Sequence, residues 1–199
     1  MNRQSLINEL RAYIPYNEQE ERDRELILKA LEEDDIYLRD NTRYHISASS
    51  FIVNKEHTKV LMCFHNIYKS FSWLGGHADG EEDLIKVAIN ESKEESGIKD
   101  FKLVSDKIFS IEVLTVDGHI KRGKYVSSHL HLNITYLLEA DEDAALHIKE
   151  DENSALKWIP IEKLNEEVNE KWMLEHIYQK LVDKLFSLTK KAKRSSIIS

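Results

Sequence analysis

Residues 75–98 read Gly75-Gly76-His77-Ala78-Asp79-Gly80-Glu81-Glu82-Asp83-Leu84-Ile85-Lys86-Val87-Ala88-Ile89-Asn90-Glu91-Ser92-Lys93-Glu94-Glu95-Ser96-Gly97-Ile98. Glycines at 75, 76 and 80 permit a loop with unusual dihedrals and close backbone approach, and Gly97 stands where a helix C-terminal cap is expected. The order is loop, helix over 82–96, stop. At about 100° per residue with Glu91 at zero, Glu95 falls at roughly 40° and Glu94 at roughly 300°, so three carboxylates share one arc. Ile85, Ala88, Ile89, Ser92 and Ser96 take a neighbouring arc suited to packing, and Lys86, Asn90 and Lys93 fall on the wetter side.

Carboxylates spaced i, i+3 and i+4 repel by about a few tenths of a kcal/mol each, so a cation is expected on that arc. The stretch has no Cys and its one His lies on the loop. Its oxygen donors therefore favour a hard divalent ion, Mg²⁺ or Mn²⁺, over zinc. A solvated acidic face would account for Glu94 and Glu95, but not for the glycine loop directly before the helix.

Outward from this stretch, the chain reads as a mixed α+β domain rather than a doubly wound one. His45 to Val53 and Val60 to Phe64 pair as a hairpin around Asn54-Lys55-Glu56-His57. Ile108 to Val116 and His129 to Leu138 form a second pair around 117–124, and Ala155 to Ile159 is a last short strand. Helical pattern returns at 161–164 and from Glu170 to Leu188. Before the strands, Leu6, Ile7, Leu10 and Ile14, and then Leu26, Ile27, Ala30 and Leu31, recur at helical spacing, with Asn17 as a cap. The apolar faces at Leu6, Leu10, Leu26 and Ala30 are expected to cover the domain or a second subunit, so a homodimer is one arrangement open to the chain. The organisation expected is a helical extension over 1–40, a domain over 41–188, and a basic, frayed tail over 189–199.

From Gly76, five residues to Glu82, then seven to Asn90-Glu91-Ser92-Lys93-Glu94-Glu95-Ser96-Gly97-Ile98, the spacing resembles the Nudix box throughout. Asn90 stands where that family has Arg, and Ser92 where it has an aliphatic residue. Leu156-Lys157-Trp158-Ile159-Pro160-Ile161 is similar to a late strand and turn of Nudix domains and extends the likeness over about residues 44–164. The resemblance implies a Nudix-like α/β/α sandwich with a mixed sheet. It also implies divalent-metal-dependent attack of water on a diphosphate linked to another group, usually in a nucleoside diphosphate derivative. Carried over by position, it makes Glu91 and Glu95 the principal metal ligands and Glu94 a further ligand or water-positioner. The Gly75 carbonyl becomes a backbone ligand, and Glu82 supports a second metal or orders the loop. The general base lies in the box or on a later loop, where Glu152 is the candidate. His77, Trp73, His129 and His131 are available to the substrate, and Asn133 and Thr135 lie on the face of His129 and His131. Lys86, one turn before Asn90, could restore part of the missing positive charge.

Composition narrows the alternatives. The chain has 199 residues, 28 Lys plus Arg against 36 Asp plus Glu, and a formal net charge of -8, which opposes non-specific attraction to a polyanion. A small-molecule diphosphate is the expected substrate, and nucleic acid, including capped RNA, is disfavoured. The single Cys63 sits in the apolar run Val60-Leu61-Met62-Cys63-Phe64, which suits a core residue and argues against an isomerase built on an active-site cysteine. A Nudix-like binding or regulatory module that has lost catalysis is the main alternative, motivated by Asn90. The N-terminus lacks an apolar signal-peptide core, and no stretch approaches about 20 apolar residues, so a cytoplasmic protein with no membrane partner is expected.

Overall fold

β1 (Tyr44–Val53) is buried along nearly its whole length, as a strand with partners on both sides and layers on both faces must be. The computed structural model that shows this describes residues 2–121, 123–148 and 153–198, with side chains described as far as Lys190. β2 (Lys59–His65) turns back antiparallel on β1, with Ile52 opposite Leu61 and Val53 opposite Val60. Asn54 fastens that turn, its Oδ1 accepting the N–H groups of Thr58 and Lys59 at 2.8 and 2.9 Å. The expected second pair is also present, as β6 (Ser110–Val116) antiparallel to β9 (His129–Glu139).

Between them stands an unforeseen small hairpin, β7 (His119–Lys121) and β8 (Lys124–Val126). β1 and β9 run parallel, from Tyr44 beside Leu130 to Val53 beside Glu139, and this makes the sheet mixed. β10 (Asn153–Pro160) and β3 (Ser70–Ser72) pair with β2, and β5 (Lys102–Leu103) pairs with β9.

The expectation of a glycine loop at 75–76 is corrected. Both residues lie in β4 (Leu74–His77), antiparallel to β1, with Gly75 opposite Ser49 and Gly76 opposite Ala48. Proximity explains the glycine: a Cβ on Gly75 would stand 2.5 Å from the Ala48 carbonyl oxygen. The turn proper follows, with Asp79 and Gly80 at positive φ.

α3 (Leu84–Ser96) begins at an Asp83 cap and ends at Gly97 in the left-handed region, φ 74°, where the sequence places its stop. It shares one sheet face with α1 (Arg3–Ala12) and α2 (Glu18–Ala30), capped by Asn2 and, as expected, by Asn17. Leu6, Leu10, Ile27 and Ala30 pack there with Ile46, Ala48, Ala88 and Ile134. The N-terminal helices therefore cover the domain. Leu26, expected in the buried face, is exposed, and Ile27 takes its place. These helices also cover β6, whose N–H groups at Val113 and just before it at Ile108 donate to Asp23 and Glu9 at 3.1 and 2.7 Å.

The opposite face carries α6 (Gln179–Ile198), packed through Leu181 and Leu185, with Tyr178 just before it, on Phe51, Val60 and Met62. A 3₁₀ turn at Ile161–Lys163, α4 (Leu164–Glu167), α5 (Lys171–Met173) and a π turn at Leu174–Tyr178 lead into it. The layers are helix, mixed sheet, helix. No helix among the described residues is long and apolar enough to cross a membrane.

Candidate active site

α3 packs on β1 and β4 through two unlike contacts. Ser92, where an aliphatic residue would be the simpler filler, donates to the Ala88 carbonyl at 2.7 Å and lies 2.9 Å from the Ser50 hydroxyl, which itself donates to Ala88 O. A buried hydroxyl is tolerated because its partners come with it. One turn on, Glu95 is buried at 5% exposure, which the helical arithmetic did not anticipate. Its Oε2 accepts the Gly75 N–H at 2.9 Å and its Oε1 accepts Asn153 Nδ2 at 3.0 Å. Glu91 is half-buried and lies flat on β4: a Cβ on Gly76 would fall 2.3 Å from the Glu91 carboxyl carbon. Glycine at 76 thus makes the space that the Glu91 carboxylate occupies.

The remaining box residues divide. Glu94 is exposed on α3. Glu82 turns to α1, accepting the Arg3 N–H at 3.0 Å, with the Arg3 Nε at 3.9 Å. Asn90 is exposed and its side chain makes no hydrogen bond among the described residues. The expectation that Lys86 compensates for it fails, because the Lys86 ammonium donates to Glu81 at 2.6 Å. What positions Glu95 instead is the Gly75 N–H and Asn153, a residue passed over in the sequence because a lone Asn at a strand start carries no motif. Glu152 lies outside the described residues.

Trp73 is buried and sets its ring edge-on to Tyr178, 5.6 Å between centroids. His77, His129 and His131 do come together, joined by His45 of β1, which sequence reading missed. Register explains the gathering: His45 sits beside His131 across the parallel β1–β9 pair, and His77 is opposite Ser47, two residues along the same face of β1. His77 Nε2 is 3.2 Å and His129 Nε2 is 3.3 Å from His131 Nε2. Burial, reinforced by Arg39 and His45, pushes the His77 imidazole down to about 3. Burial and the neighbouring His77 push His131 down to about 2, and burial also lowers His45. All three rings are neutral at physiological pH.

Further along this face, Asn133 and Thr135 are fully buried rather than lining a cleft. Ser47 and Ser49 donate to Asn133 Oδ1 at 3.0 and 2.9 Å, and Asn133 Nδ2 and the Thr135 hydroxyl donate to Glu112 at 3.0 and 2.8 Å. Lys180 of α6 donates to Glu112 at 3.0 Å. Glu20 of α2 accepts from Ser110, Lys184 and the Tyr13 hydroxyl, at 2.8, 2.7 and 2.8 Å. One buried polar network therefore ties the N-terminal extension and α6 to the sheet.

The NUDIX domain family model matches residues 43–182. Among solved structures, the chain is similar to a C. elegans Ap4A hydrolase in a binary complex, at 19% identity over 73% of this chain and 98% of that one, with a TM-score of 0.53. It is similar to a Nudix hydrolase from M. smegmatis, RenU, at 12% identity over 74% and 86% of the two chains, TM-score 0.51. The E. coli dihydroneopterin triphosphate pyrophosphohydrolase aligns at 15% identity over 69% and 95%, TM-score 0.51. These likenesses are of fold. No curated protein matches the chain.

Proposed function

Since the chain belongs to the Nudix family, whose domain model spans residues 43–182, we propose that it hydrolyses a diphosphate linkage in a nucleoside diphosphate derivative or a related small molecule, with Mg²⁺ or Mn²⁺ as cofactor. The observation that carries this reading is the convergence of two carboxylates on one strand: Glu95 accepts the Gly75 N–H, and Glu91 fills the space that glycine leaves at Gly76. The donor set fits a hard divalent ion, because Glu91, Glu95 and Glu94 offer oxygen alone and the Gly75 carbonyl is on the strand they approach. Glu91 and Glu95 would hold the ion, joined by Glu94 and the Gly75 carbonyl. When bound, it neutralises negative charge that grows on the phosphate oxygens as the reaction proceeds.

The chain's own residues supply orientation and proton transfer. Asn153 and the Gly75 N–H hold the Glu95 carboxylate from two sides, a service that a charged Arg at position 90 would otherwise help to render. We assign the general base to Glu152, the later-loop candidate read from the sequence. It directly precedes Asn153 in the chain and would take the proton of the attacking water as the new P–O bond forms and the bridging P–O bond breaks. Glu82 acts at a distance, by fastening the loop before α3 to Arg3. Trp73 packs in the apolar layer and the imidazoles turn toward one another, so substrate contact is assigned to neither.

The test is a panel of dinucleoside polyphosphates, nucleotide sugars, ADP-ribose and nucleoside triphosphates, each with Mg²⁺ and with Mn²⁺. Turnover of at least one, abolished by chelation, is expected. Binding of a nucleotide with no turnover across the panel would replace this reading with that of a regulatory module.

A further inference from the structure

We propose that His45, His77 and His131, with His129 beside them, form a second metal site on the sheet face away from α3, selective for a late first-row divalent cation of the Zn²⁺ type. This does not depend on the hydrolase reading. Gly76 faces Glu91, so the next residue of β4, His77, points to the other side of the sheet. The candidate donor atoms of His45, His77 and His131 all lie within 4.8 Å of one another.

Two of the four tautomers follow from their neighbours. A carbonyl oxygen only accepts, so His45 Nδ1–H donates to Asn41 O at 3.1 Å and His129 Nδ1–H donates to Ser127 O at 2.8 Å. With the hydrogen on Nδ1, the ring lone pair is on Nε2. A ring N–H held by a backbone carbonyl is the arrangement that orients and strengthens a metal-ligating imidazole. His45 is only 4% exposed, and its Nε2 makes no hydrogen bond among the described residues.

The other two rings cannot absorb the surplus. A hydrogen on His131 Nε2 serves His129 or His77, and a hydrogen on His77 Nε2 leaves His131 and His129 facing each other with lone pairs 3.3 Å apart. Either way the His45 lone pair is left over. A cation held by His45, His77 and His131 takes up the lone pair that His45 leaves over. Tetrahedral zinc, with Zn–N bonds of about 2.0–2.1 Å, sets neighbouring nitrogens about 3.3 Å apart, and the His77 and His131 Nε2 atoms are 3.2 Å apart. Imidazole donors without carboxylate select zinc and its neighbours over Mg²⁺. Asp79, whose charge reaches His45 and His77, is already paired with Arg39.

The full chain, stripped with chelator and dialysed against micromolar Zn²⁺ in excess Mg²⁺, is expected to retain one zinc per chain, to melt at higher temperature for it, and to give the visible spectrum of a tetrahedral nitrogen site with Co²⁺. His77→Gln and His131→Gln should each weaken zinc at least about tenfold, while the Glu91→Gln/Glu95→Gln double variant keeps it. Should His131→Gln fail to fold, His77→Gln decides by the same titration. No retained zinc in the wild type, equal retention in the histidine variants, or loss of zinc in the glutamate double variant overturns the proposal.

Discussion

Replacing Glu20 with Gln should cost the protein about 3 kcal/mol at neutral pH, and the loss should fade in acid. Glu20 has no exposed surface and faces two ammonium groups, the half-buried Lys184 at 2.7 Å and the almost fully buried Lys180 at 3.3 Å. Burial alone would push its carboxyl up, but attraction to Lys184 and Lys180 and their hydrogen bonds outweigh burial and hold it at about 2. Against an ordinary carboxylate near 4.5, that displacement contributes about 3 kcal/mol when the group is ionised. The figure agrees with the cost of removing one partner from a buried ion pair, about 3–5 kcal/mol, with Lys180 partly compensated by Glu112. The sign follows from the depressed folded value: the stabilisation is fully present above about 4.5 and lost as pH falls toward 2. Urea unfolding followed by tryptophan fluorescence should place the variant midpoint about 1 M below wild type at pH 7, with the gap narrowing markedly by pH 3. A gap under about 1 kcal/mol at pH 7, or one that does not change with pH, would refute the reasoning.

Three further outcomes are expected. Gly76→Ala should lower kcat by about a hundredfold with little change in melting temperature, since its Cβ displaces the Glu91 carboxylate rather than backbone; an unchanged kcat would mean that Glu91 need not lie there. Asn153→Ala should lower kcat without an equal rise in KM, and Asn153→Asp should lower it further by setting a second carboxylate against Glu95; equal activity in all three proteins would remove Asn153 from the site. Lys86→Ala, which breaks only an exposed pair with Glu81, should leave activity unchanged and alter stability by less than about 0.5 kcal/mol, as unfolding and steady-state kinetics would show.

Where the sequence was legible, the signal was local. The Gly97 stop, the Asn17 cap and the turn at 54–57 are short-range devices, and each stands where it was read. The parallel pairing of β1 with β9 joins residues about ninety apart and leaves no local mark, so neither the mixed sheet's register nor the gathering of His45 with His131 could be read. Glycine usually marks a loop, and in the sequence Gly75 and Gly76 read as one. Here they permit two backbones and a carboxylate to approach, a reason visible only once the partners are known. Asn153 carries no motif, and Lys86 was assigned by helical angle when a nearer carboxylate in the preceding turn claimed it. The buried Ser92 reads as a departure from the box until Ser50 supplies its partner.

The central claim is that Glu91 and Glu95 together hold the divalent ion on which hydrolysis depends. Its most direct measurement is Mn²⁺ affinity, by titration calorimetry, alongside kcat on a panel substrate, for the wild type, Glu91→Gln and Glu95→Gln. The account predicts that each variant remains folded, binds Mn²⁺ at least about tenfold more weakly and loses turnover by orders of magnitude. Wild-type Mn²⁺ affinity and turnover in Glu95→Gln would contradict it.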